Sequence, residues 1–185
     1  MSARIDESVF DDVINSMHRE HQELLAYLRN AGEISFAAAL EQSFPKVILL
    51  AAASNLEHHT TAVLIDLVTE MASGSAEVVH FLKNKAISRQ YHSLFDWDAN
   101  NANKFFGLFG SEFKQRMGDL VRGDLKFAQA VRDFLDIGSQ RNNLIHGNFG
   151  SFAYEKTSAD VIEQYRSACT FVSMLRENLM QTGAV

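Results

Sequence analysis

The chain has 185 residues, is 46% hydrophobic by residue and carries a formal net charge of −6 at pH 7. This length and apolar content predict a single domain with a full hydrophobic core over residues 1–185. The acidity argues against a protein that coats long nucleic acid, because such proteins are usually basic. Any binding of nucleic acid would require positive charge concentrated at one site.

The cysteine content and the first residues suggest a compartment. The single cysteine, Cys169, argues against a disulfide scaffold and is compatible with a reducing cytosol. It lies in an apolar helical pattern, so we expect it to be a small buried side chain. Residues 1–7 are polar and lack the apolar stretch of a secretory signal. We therefore expect a cytoplasmic protein.

Residues 6–30 show apolar side chains at helical spacing and predict an amphipathic first helix. His18 and His21 are three residues apart and share one face of it. Two histidines could form half of a zinc site, but no cysteine or third histidine follows at ligand spacing. The sequence thus favours histidines at the solvent or the edge of the core, and it predicts no metal and no cofactor.

A long central helix is expected next. Residues 32–42 are interpreted as a linker, and Ser43-Phe44-Pro45 as a helix start with a serine cap and a proline in the first turn. Residues 47–53 are apolar all round and predict burial, and the helix should stop at Ser73-Gly74. The apolar run is shorter than the ~20 residues of a membrane span, so no membrane contact is expected.

Three polar residues interrupt this central helix: Glu57, His58 and His59. Polar groups in a buried helix need partners. In one interpretation they hydrogen-bond neighbouring helices or lie at a dimer contact. In the other, Glu57 or His58 faces a cleft formed by Arg141 and His146 and supports these two residues.

The middle of the chain holds a basic segment and an aromatic one. Residues 75–89 predict a helix whose inward face is formed by Val78, Val79, Leu82 and Ile87. Its basic side is formed by Lys83, Lys85 and Arg89. Such a side is more often solvated than bound to RNA. Residues 91–109 mix aromatic residues with an Asn/Asp cluster typical of turns. Their rings should anchor this segment in the core rather than stack on bases, although Trp97 could line a cleft.

The last third of the chain predicts three further helices. Residues 112–121 form a short one, and Asp124 caps the next, which runs to His146. Thr157 and Asp160 resemble a capping box that opens the final helix, which should end at Gly183. No segment shows convincing strand alternation. The fold class is therefore all-α, a bundle of about five to seven helices.

The end of the helix before Gly147 carries the candidate site, Arg141, Asn142 and His146. Asn142 and His146 are four residues apart and share a face, while Leu144 and Ile145 continue the apolar pattern. Imidazole acts as general base or acid near neutral pH, and guanidinium matches and stabilises phosphate oxygens.

No carboxylate joins this trio, so it suits metal-free attack by the RNA 2′-OH rather than a magnesium or calcium site. The competing interpretation of His146 is a cation that complements the helix dipole, with Arg141 in a surface ion pair of little energetic value.

The segment Arg141-Asn142-Asn143-Leu144-Ile145-His146 matches the R-(polar)-x-x-x-H signature of HEPN ribonuclease domains. The stretch from about residue 91 to 175 resembles the RiboL-PSP type of HEPN protein. Further matching residues are Phe95-Asp96-Trp97, residues 100–103, residues 105–110, Gly147-Asn148-Phe149 and Glu155-Lys156-Thr157.

This resemblance implies a single HEPN-type helical domain that forms a homodimer with both motifs facing one cleft. It also implies metal-independent cleavage of an RNA substrate to 2′,3′-cyclic phosphate and 5′-hydroxyl ends. A toxin or phage-defence role follows by the same resemblance, with an antitoxin or defence-system partner. The alternatives are a non-catalytic HEPN module that binds RNA, nucleotide or a partner protein, and an antitoxin-like or assembly subunit whose helices only form interfaces.

Overall fold

The computed structural model describes the backbone of residues 7–180 and the side chains of residues 13–180. Within this range the chain forms eight α-helices and one π-helical turn, and no strand. The all-α prediction is therefore confirmed. The helices are α1 Glu7–Asn30, α2 Ile34–Met71, α3 Ala76–Leu82, α4 Tyr91–Leu94, α5 Asn103–Gly107, α6 Ser111–Gly123, α7 Leu125–His146 and α8 Ser158–Met180, with the π-helical turn at Lys83–Ile87.

The predicted caps of the last two long helices are confirmed. At the start of α7, the Asp124 carboxylate accepts hydrogen bonds from the backbone N–H groups of Lys126, at 2.8 Å, and Phe127, at 3.2 Å. At the start of α8, the backbone N–H of Thr157 donates to Asp160 Oδ2 at 2.8 Å, and the backbone N–H of Asp160 donates to Thr157 Oγ1 at 3.2 Å. The hydrogen bonds from Thr157 lower the pKa of Asp160. Residue 6 and Gly183, where we expected α1 to start and α8 to end, lie outside the described residues.

The predicted start of the central helix is wrong. Helix α2 begins at Ile34, not at Ser43, and continues through Pro45. Ser43 does not cap: its hydroxyl donates to the Leu40 carbonyl at 3.3 Å, within the helix. A proline inside a helix removes one backbone hydrogen bond, and the turn that starts at Pro45 is packed into the core, where Ile48 and Leu49 are fully buried. The end is as expected, because Ser73 and Gly74 have φ values of 49° and 89°.

Helix α2 is also longer than the sequence suggested, at 38 residues. By length and composition alone it is long and apolar enough to cross a membrane, so the argument from a short apolar run does not hold. Buried helices of globular proteins share these properties. The absence of membrane contact stays a prediction.

Helix α3 differs from the prediction in its packing. It contains no buried residue, and Val78 is 46% exposed, so its expected inward position is wrong. Only Ile87, in the π-helical turn, is buried as expected. Lys83, Lys85 and Arg89 are exposed to solvent, which fits the solvated basic side that the sequence favoured.

Contacts divide the chain into two compact units. The first contains the described residues up to Asn55 together with Ile137–Arg166. Its core contains Tyr165, which is fully buried and donates its hydroxyl hydrogen to Asn55 Oδ1 at 3.0 Å. Its core side chains include Ile14, Leu25, Ile48, Leu49, Ala52, Ile137, Leu144, Val161 and Ile162. This unit contains the C-terminal end of α7, the helix that carries Arg141, Asn142 and His146 and is called the motif helix below.

The second unit contains Leu56–Asp136 and residues 167–180. Its core is aromatic: the Phe95 ring stacks on Phe105 with centroids 4.4 Å apart, and Phe134 lies 4.7 Å from Phe171. The rings of residues 91–109 therefore anchor that segment in the core, as predicted. Cys169 is only partly buried, so its expected full burial is wrong.

Candidate functional site

The three motif residues lie at the C-terminal end of α7, which ends at His146 as predicted. Arg141 and Asn142 are half-buried, whereas His146, in the last turn, is exposed. Leu144 is buried and fixes this turn to the core of the first unit, but Ile145 is 49% exposed, contrary to the apolar contact that we expected for it. The imidazole is thus open to a substrate, and its helix is held by its neighbour.

Arg141 is fixed by the amide next to it. Its Nη1 donates to Asn142 Oδ1 at 3.1 Å in a partly buried position. It makes no ion pair with any residue whose side chain the structure describes, so the surface ion pair considered above is absent. An oriented guanidinium without a carboxylate keeps its other N–H donors for an anion. The amide therefore orients the arginine in this structure, and nothing places it against His146.

Gly147 lets the chain turn sharply after His146. Its N–H donates to the Asn143 carbonyl at 3.0 Å, which completes the last helical turn. A Cβ atom on this residue would lie 2.8 Å from the same carbonyl oxygen, closer than real side chains come. Its φ is not positive, so glycine is needed here for close approach rather than for a left-handed cap. Asn148 continues the turn by accepting the Gly150 N–H at 3.0 Å with its side chain.

One residue at this site was missed by sequence reasoning, Lys46 on α2. Its ammonium group donates to the Phe149 carbonyl at 3.0 Å and lies 5.5 Å from the centroid of the Phe149 ring. Lys46 is only 9% exposed. This contact ties the loop after His146 to α2. In the sequence, a lysine next to a proline in an apolar stretch gave no indication of it.

The histidine pair of α1 shows no sign of a metal centre. Burial is the main cause that lowers the pKa of His18, and the nearby cation of Arg166 adds to it. Burial is also the main cause that lowers the pKa of His21, with a smaller contribution from His18. The His21 ring is buried and stacks on Phe44 with centroids 3.7 Å apart. Within residues 13–180 no group of three or more His, Cys, Asp and Glu side chains is placed to hold a metal ion. His18 thus lies at the edge of the core, as the sequence favoured, and His21 lies within it; the absence of a metal stays a prediction.

The two residues expected to support the motif belong to the second unit. Glu57 Oε2 lies 3.9 Å from His92 Nε2, and the His58 ring lies edge-on to His59, with centroids 5.3 Å apart. Burial and then His58 lower the pKa of His59 to about 4. These contacts give Glu57 and His58 partners within their own unit. Their support of Arg141 and His146, like a cleft position for Trp97, stays a prediction.

The fold and the site define an all-α protein whose motif helix ends in an oriented arginine and an exposed histidine. A sequence model of the RiboL-PSP-HEPN family matches residues 14–181, which is most of the chain. The protein therefore belongs to the RiboL-PSP-HEPN family. Searches of curated proteins and of solved structures gave no significant match.

Proposed function

We propose that this protein is a metal-independent endoribonuclease that cleaves RNA to 2′,3′-cyclic phosphate and 5′-hydroxyl ends. The observation that carries the proposal is Arg141, oriented by Asn142 and without an ion pair among residues 13–180, about one helical turn before the exposed His146. Membership of the RiboL-PSP-HEPN family supports it.

The chemistry follows from these groups. An imidazole takes the proton of the RNA 2′-OH, and the 2′ oxygen bonds to the adjacent phosphorus. The P–O5′ bond breaks, and O5′ leaves as a hydroxyl after it receives a proton from an imidazolium. Arg141 donates hydrogen bonds to the phosphate oxygens, on which negative charge grows in the transition state. No metal ion takes part in these proposed steps.

Two imidazoles are needed at once, one neutral and one protonated, and each chain offers one at this site. A homodimer that brings the two copies of His146 to one cleft supplies both. The cellular role that we propose is growth arrest or phage defence in the cytoplasm, with a partner protein or an infection signal that controls the nuclease.

The test is cleavage of total RNA and tRNA in excess EDTA by wild type, Arg141→Ala and His146→Ala. We expect cleavage by the wild type alone, with each variant at least ~100-fold slower, as for the loss of a general acid–base or an anion-stabilising donor. Mass spectrometry of the fragments should find cyclic phosphate ends.

Three other results would contradict the proposal. Equal cleavage by all three proteins would assign the activity to another site or to a contaminant. Cleavage that stops in EDTA would contradict the metal-free mechanism. If the dimer binds the same range of RNAs tightly but cleaves none of them, the result would favour the non-catalytic binding module.

A further inference from the structure

Lys46 is a buried cation beside the loop that follows α7. It is only 9% exposed and makes no ion pair with any side chain in residues 13–180. A lysine ammonium has three N–H donors, and the structure gives one of them a partner, the Phe149 carbonyl at 3.0 Å. Buried charges are normally paired, because desolvation without a partner is costly. The neutral carbonyl and the Phe149 ring stabilise this charge only in part.

Lys46 lies close to the motif. Phe149 follows His146 by three residues, and consecutive Cα atoms are ~3.8 Å apart, so the Lys46 ammonium lies within about 17 Å of the His146 Cα atom. A few nucleotides of single-stranded RNA can span that distance. Lys46 belongs to the same unit as Arg141 and His146. Arg141 and Lys46 thus belong to the same unit, and neither has an ion pair among residues 13–180.

We propose that Lys46 binds an RNA phosphate within a few nucleotides of the scissile one, while its bond to Phe149 holds the loop after α7 against α2. This inference rests on the proposed ribonuclease function. A phosphodiester is the anion that Arg141 and His146 suit, and it would pair with the Lys46 charge, for which residues 13–180 supply no anionic side chain. Lys46 binds substrate in this scheme and transfers no proton.

Salt dependence of binding separates a phosphate contact from a loop anchor. The affinity for single-stranded RNA should be measured over a range of salt concentrations in the non-cleaving His146→Ala background, with Lys46→Met added. Each phosphate contact contributes ~0.7 to the slope of log K against log salt for single strands. We expect the slope to fall by about 0.7 per protomer and the affinity to fall about tenfold at low salt.

Lys126→Met is the matched control, because it removes the same charge from an exposed position 20 residues before His146, about 30 Å along α7. It should leave slope and affinity unchanged. If Lys46→Met does not fold, Lys46→Arg, which keeps the charge, is compared with Lys46→Gln, which does not. The arginine variant should then retain the slope of the background and the glutamine variant should lose it.

The outcomes separate the two proposals. Weaker binding with an unchanged slope would overturn the inference and leave Lys46 as a loop anchor. An unchanged affinity and slope would overturn it as well. In both cases, cleavage by the wild type would leave the proposed ribonuclease intact. RNA that neither binds to the background protein nor is cleaved by the wild type would contradict both proposals together.

Discussion

Acidification should destabilise this protein through His59. Its side chain is buried, and burial lowers its pKa from 6.5 to about 4. In the unfolded chain the same imidazole binds a proton near pH 6.5. Above that pH both states are neutral and the residue contributes no pH dependence. As the pH falls from 6.5 towards 4, only the unfolded state gains the proton, so unfolding becomes easier.

The magnitude follows from these two pKa values. At pH 5 the unfolded chain is almost fully protonated at this residue and the folded protein is not, which corresponds to about 2 kcal/mol of lost stability. Below pH 4 the loss reaches at most about 3 kcal/mol, because each pKa unit is worth ~1.4 kcal/mol.

Urea unfolding of wild type and His59→Gln at pH 7 and pH 5 measures this effect. The variant should lose about 2 kcal/mol less than the wild type between the two pH values. His18 and His21, whose pKa values are also lowered, act in the same direction in both proteins and cancel in the comparison. His80→Gln, at an exposed histidine, controls for the substitution itself. An equal loss in wild type and His59→Gln would refute the low pKa.

Three further substitutions test other parts of the structure. Gly147→Ala places a Cβ atom 2.8 Å from the Asn143 carbonyl, so we expect ~1–3 kcal/mol of destabilisation and slower RNA cleavage; wild-type activity would contradict the close approach. Phe171→Ala opens the aromatic core and should cost ~3–5 kcal/mol in urea unfolding, and a loss below ~1 kcal/mol would mean that the rings are not packed. Thr157→Ala removes the α8 cap and should cost ~1 kcal/mol, whereas no change would indicate that the cap is dispensable.

Local signals made much of the fold predictable. The caps at Asp124 and Thr157 were readable because each hydrogen bond joins residues at most three apart. The end of α7 at His146 was readable because a glycine follows. The same logic misled at Ser43 and Pro45, which look like a helix start. The helix instead starts at Ile34 and continues through the proline, although most of residues 34–43 are exposed. Local start signals are a weak guide to such a continuation.

The motif itself was predictable, and its surroundings were not. Arg141, Asn142 and His146 lie within two helical turns, so their common helix end followed from spacing alone. Lys46 meets Phe149 across 103 residues of sequence, and no local pattern specifies such a contact. The expected inward face of α3 failed for a related reason. Helical periodicity identifies an apolar residue such as Val78, but whether another element covers it is decided by the tertiary fold.

The acidity of the chain is compatible with an RNA site once the pairing of its cations is considered. Arg29 is paired with Glu41 at 2.6 Å and Arg176 with Asp66 at 3.2 Å, so these charges are locally neutralised. Arg141 and Lys46 have no such partner among residues 13–180. At physiological salt the field of a charge is screened beyond ~8 Å, so a phosphate at the end of α7 experiences Arg141 more strongly than the net charge of −6. RNA binding by the proposed enzyme then depends on a short, flexible segment that can enter the site, rather than on a long duplex held along its backbone.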